Sequence, residues 1–150
     1  MRGLRLGICA LAMVSIGCGQ DPYRAALSEN CANADAGQTG DWLIGKWSGG
    51  GSVYVFGRDG EGLNWTWSRD RIASTHPRWT TKEPASGAGR FTAVGRCEAV
   101  GEGHYVESDN WRQRGAPYVL RIAYAAPGFA TGMMQGYGRE DIALRLRRID

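Results

Sequence analysis

The stretch from Trp42 to Trp67, WLIGKWSGGGSVYVFGRDGEGLNWTW, constrains the fold more than any other part of this chain. It opens with a Gly-x-Trp element at Gly45 and Trp47 and continues into Val53, Tyr54, Val55 and Phe56, which are β-branched or aromatic. A turn is expected at Arg58-Asp59-Gly60. Beyond it, Leu63, Trp65 and Trp67 alternate with Asn64, Thr66 and Ser68, the period of two that a half-buried strand requires. This pattern is the start of a small antiparallel β-barrel or sandwich.

Downstream, Arg69 to Gly89 reads as a long connection. It holds Pro77, Pro84 and the run Ser86-Gly87-Ala88-Gly89, with a candidate short strand near Ile72 or Trp79. Connections of this length are usually functional or mobile. Further strands are expected over 91–100, 105–111, 118–124, 131–137 and 142–149, with glycine or proline in most of the gaps. Such spacing predicts an up-and-down meander, with no helical stripe of useful length. In the last strand Ile142, Leu144 and Leu146 share one face, and Ala143, Arg145 and Arg147 the other. With about eight strands, pairing this strand to the one near Trp47 closes the sheet and leaves no exposed edge. The fold class is therefore all-β, an up-and-down antiparallel barrel spanning 42–150.

The first 41 residues belong to something else. Arg2 and Arg5 precede the apolar run Leu6 to Ile16, which is shorter than the ~20 apolar residues a membrane-crossing helix needs. A positive flank, a short apolar core and small residues at its end predict a secretory signal peptide over 1–17. The sequence Ser15-Ile16-Gly17-Cys18 also resembles a bacterial lipoprotein box, although Ser15 stands where leucine is usual. That resemblance implies diacylation and palmitate at Cys18, and hence a membrane anchor in the bacterial cell envelope. Residues 18–41 are small and polar, too poor in apolar surface to fold alone, as suits a tether. Cys9 leaves with the signal, so a lipidated Cys18 leaves Cys31 and Cys97 as one natural disulfide. Closing the loop of 97 − 31 = 66 residues would contribute roughly 4 kcal/mol through loop-closure entropy.

Charge excludes one class of partner. Lys and Arg minus Asp and Glu is 18 − 15 = +3, and the basic residues are mixed with acidic ones throughout, so the clustered footprint of a nucleic-acid binder is absent. Catalytic signatures are absent as well: no Gly-x-Ser-x-Gly elbow, no phosphate loop, no cysteine paired with a suitable histidine. His76 precedes Pro77 in the long connection. His104 begins a strand in GEGHYVESD, where alternation sets it with Val106 and Ser108 and away from Glu107 and Asp109, which argues against a metal site.

The same alternation places Tyr105, Glu107, Asp109 and Trp111 on one face. These residues, with Trp65, Trp67 and Arg121, are candidates for the lining of a ligand cavity. The plainer expectation makes that face the outer surface, with Val106 turned inward.

Gly-x-Trp on the first strand and arginine on the last resemble the lipocalin-like (calycin) barrels. The resemblance implies that Trp47 plugs the closed end and that Arg145 or Arg147 packs across it by cation–π stacking. LIGKWSGGG also resembles the nitrobindin-like branch, whose haem-binding histidine near the C-terminus has no counterpart here. No cofactor is implied. The expected function is a lipid-anchored envelope protein whose barrel binds a small hydrophobic ligand or an envelope protein without catalysis. A protease-inhibitor-like or assembly module with a packed barrel is the alternative, and an envelope enzyme the third.

Overall fold

The computed structural model describes residues 40–73, 81–108, 112–136 and 141–150. The signal segment, nearly all of the tether, Cys18, Cys31, His76, Asp109 and Trp111 lie outside them. A short 3-10 helix, Asp41–Leu43, leads into eight antiparallel strands. These are β1 (Gly45–Gly49), β2 (Ser52–Asp59), β3 (Gly62–Arg69), β4 (Ala85–Val94), β5 (Glu98–Ser108), β6 (Pro117–Ala126), β7 (Phe129–Gly136) and β8 (Ile142–Arg148). Each strand pairs with the next, and β8 returns to β1 through Trp47↔Arg148 and Ser48↔Arg147, closing the barrel. Backbone and side chain extend that seam: the Ile149 amide donates to the Lys46 carbonyl at 2.9 Å, and the Lys46 amide donates to Asp150 Oδ2 at 2.8 Å.

The first hairpin follows its alternation. Tyr54, Phe56, Leu63, Trp65 and Trp67 are buried, while Val53, Val55 and Thr66 face solvent. Its turn falls one step later than expected. Asp59 is the last residue of β2, and its carboxylate accepts from the Glu61 amide, from Asn64 Nδ2 and from both Arg90 terminal nitrogens at 2.7 and 2.9 Å. Those donors hold the Asp59 carboxyl well below the usual carboxylate range and fasten the β2–β3 turn to β4.

Two expectations for the middle of the chain are corrected. The run 91–100 is not one strand but the end of β4, a turn at 95–97 and the start of β5. The connection after Arg69 ends at Pro84, because Ala85–Gly89 belongs to β4. Glycine in a strand usually signals a loop or a close approach; here it is the approach. A Cβ on Gly103 would stand 2.9 Å from both the Trp65 indole and the Tyr118 ring, and one on Gly101 would stand 2.7 Å from Trp65. The glycines of β4 and β5 form a bare patch of barrel wall on which the large rings lie.

At one end the barrel is sealed. Trp47 is 1 % exposed, and its indole Nε1 donates to the Leu43 carbonyl at 2.8 Å. The plug residue thus stands where expected, but its cationic partner is neither Arg145 nor Arg147. Both are exposed on the outer wall, on the face opposite Leu144 and Leu146. The inward face continues to Arg148, whose guanidinium carbon lies 5.0 Å from the Trp47 ring centroid. Arg148 Nη2 also donates to the Trp42 and Ile44 carbonyls at 2.6 and 2.9 Å, tying the 3-10 helix across the barrel end, while its buried Nε has no acceptor among the described residues. Cys97 is also buried at this end.

Arg148→Met should therefore cost about 2–4 kcal/mol, from a lost cation–π contact and two lost charged hydrogen bonds. Arg147→Met, on the outer wall, should change stability by less than about 0.5 kcal/mol. Urea denaturation of the two variants measures the difference; equal losses would contradict the assignment.

Candidate functional site

The interior changes character along the barrel axis. Its middle is filled: Trp65 packs against Phe91 with centroids 4.5 Å apart, and Phe56, Leu120 and Ile122 are each 1 % exposed or less. Above them Tyr118, inward on β6, accepts two hydrogen bonds through its hydroxyl, from Trp65 Nε1 and Trp67 Nε1, both at 3.0 Å. Buried indole N–H groups need an acceptor, and one hydroxyl oxygen with two lone pairs serves both. The Tyr105 ring closes this layer, edge-on to Tyr118 at 5.3 Å and to Trp67 at 5.8 Å.

Beyond this layer, toward the open end, lies a cavity of about 570 Å³. Tyr54, Trp67, Tyr105 and Met134 form its floor, and Ser52, Arg69, Thr81, Lys82, Glu83 and Gln113 its polar rim. On one side it reaches β8 at Ile142, Ala143 and Leu144, above the last residue pair that joins β8 to β1. The connection between β3 and β4 helps to build the rim. Ile72 and Lys82 exchange two backbone hydrogen bonds, at 2.8 and 3.0 Å, and the Ile72 side chain packs over Gly51 in the β1–β2 turn. Arg69 Nε and Nη2 donate to the Glu83 carbonyl at 3.2 and 2.9 Å.

Of the residues expected to line a cavity, Trp67 and Tyr105 do so, and Trp65 lies beneath them in the packed layer. Tyr105 therefore faces in, not out, and Val106 is the exposed residue at 51 %. Alternation holds through Val106 and fails at Glu107 because of a β-bulge: Gly87 pairs with Tyr105 and Ser86 with Glu107, leaving Val106 as the extra residue. Past the bulge, Glu107 lies on the outer wall in a shallow depression with Pro84 and Arg114. Arg121 is exposed on the outside of β6 and His104 on the outside of β5. Among the described residues, no group of three or more His, Cys, Asp and Glu side chains gathers as metal ligands would.

Sequence reasoning did not single out Tyr54, Tyr118, Arg69 or Lys82 as site residues. For the two tyrosines the signal was present: Tyr54 shares its face with Phe56, and Tyr118 shares its face with Leu120 and Ile122. Arg69 ends β3 on the parity of the inward Trp65 and Trp67. Nothing local marked Lys82, which reaches the rim only through the bridge to Ile72.

Burial pushes the Tyr54 hydroxyl up to about 12 from its ordinary 10, and raises that of Tyr118 as well. Each keeps its proton in the barrel at a pH where the unfolded chain has released it. This contribution to stability is intact below pH 10 and is lost as pH climbs toward 12. Denaturation midpoints should fall across that window, and less steeply in Tyr54→Phe; identical profiles for the two proteins would contradict the buried hydroxyl.

The chain matches no protein-family model, no curated protein and no solved structure.

Proposed function

We propose that this protein is a lipid-anchored component of a bacterial cell envelope whose barrel binds a small amphipathic molecule in its open end, without catalysis. The observation that carries the binding half is the cavity itself. At about 570 Å³ it is in the size range of small-molecule sites, and an aromatic floor under a few placed polar groups is their usual construction. A barrel serving only as a packed interaction module has no need of that space. The lipocalin-like resemblance agrees with the closed eight-stranded topology and with an arginine of the last strand lying across the tryptophan plug.

The anchor half rests on Gly17-Cys18 and the polar segment after it. Cys31 is the natural partner for Cys97. The chain enters the barrel at Gly40, at the same end as the 95–97 turn, and the nine residues from Cys31 to Gly40 reach at most roughly 30 Å. The bridge would fasten the tether to the sealed end, leaving the cavity mouth on the opposite side.

Native mass spectrometry of protein extracted from envelopes tests both halves. The expected result is a chain beginning at an acylated Cys18, with a non-covalent occupant released on denaturation. An unmodified Cys18 would defeat the anchor. A barrel that carries no occupant and takes up no amphiphilic probe, neutral or charged, would defeat the binding function.

A further inference from the structure

The binding reading leaves the chemistry of the ligand open, and the rim of the cavity narrows it. Three charged residues line the rim among the described residues: Arg69, Lys82 and Glu83. The acid is already engaged, since Glu83 Oε2 lies 3.4 Å from Arg71 Nε outside the cavity. Neither cation is paired with a carboxylate among the described residues. Arg69 spends Nε and Nη2 on a neutral carbonyl, that of Glu83, which fixes the plane of the guanidinium and leaves Nη1 without an acceptor among the described residues. Lys82 is held through its backbone by the two-bond bridge to Ile72, and its exposed side chain forms no ion pair with a carboxylate among the described residues.

From this arrangement we infer that, if the cavity is a binding site as proposed above, it selects an amphipathic anion. The apolar body would lie on Trp67 and Tyr105, and a carboxylate, sulfonate or similar head would sit between Arg69 and Lys82. A guanidinium held in one plane by a carbonyl is ready to meet a planar or tetrahedral oxyanion without losing further side-chain freedom. Cations at the mouth of a concave site also raise the local concentration of anions. A neutral ligand of the same shape gains neither effect, and a cation is repelled. A purely structural role accounts for Arg69, which pins the connection through the Glu83 carbonyl, but not for Lys82, whose side chain holds nothing in place.

Two fluorescent probes with one body separate the possibilities: anilinonaphthalene sulfonate, which is anionic, and N-phenyl-naphthylamine, which is neutral. The full chain should bind the sulfonate about tenfold more tightly or better, as a direct charged contact in a partly buried site allows. Lys82→Gln should weaken the sulfonate about fivefold, move the neutral probe less than about twofold and leave the denaturation midpoint unchanged, with Lys82→Arg restoring affinity. Equal affinity for the two probes, or a Lys82→Gln variant that binds both as before, would overturn anion selection while the binding function stands. Failure of both probes to bind would remove the binding function together with this inference. Since Arg69→Gln loosens the connection as well as the head-group site, the decision rests on Lys82.

Discussion

A single hydroxyl organises the inside of this barrel. Tyr118 accepts from two indoles at once, Trp65 and Trp67, which are neighbours on one face of β3 and stand across the interior from β6. Burying two indole N–H groups without an acceptor would cost on the order of 1–3 kcal/mol each, enough to erase much of the gain from burying the rings. With the acceptor present, both rings can lie deep in the barrel. The space they need comes from Gly87, Gly89, Gly101 and Gly103 on the adjoining strands β4 and β5, where any side chain would collide with Trp65, Trp67 or Tyr118. Hydrogen bond and glycine patch are two parts of one packing solution.

That solution divides the barrel into unlike halves. Below the tyrosine–indole layer, aromatic and aliphatic side chains fill the interior down to Trp47, and Arg148 and the short 3-10 helix cover the end. Above it the strands carry smaller or polar inward residues, Ser52 and Ala85 among them, and space is left. The long connection between β3 and β4 could have fallen away from the mouth. Its described ends, up to residue 73 and from residue 81, are held at the mouth instead by the bridge at Ile72 and Lys82 and by the Arg69 hydrogen bonds to the Glu83 carbonyl. A sealed and packed lower half gives the cavity a rigid floor, so that little ordering need accompany binding.

What the sequence made legible was whatever followed a simple period. The β2–β3 hairpin, the meander and the closure of β8 on β1 all come from strict alternation with turn residues between. The failures came where one residue serves a neighbour far off in the chain. Ser86 to Gly89 looked like a loop because the reason for its glycines lies on β3 and β6. Glu107 was grouped with Tyr105 on one face, although one inserted residue, Val106, resets the alternation and sets Glu107 outside. Arg148 was passed over for Arg145 and Arg147, although Leu144 and Leu146 already marked its face. Lys82 had no local signal, because its position depends on a two-bond bridge that only the folded chain forms.

The most direct test is hydrogen exchange at the indole nitrogens, followed by NMR. If the Tyr118 hydroxyl holds Trp65 and Trp67 in a closed layer, their Nε1 protons should exchange only as slowly as the barrel itself opens. Indole protons of Trp65 and Trp67 that exchange as fast as those of free tryptophan would show that the layer does not exist, and the division between packed base and open cavity would go with it.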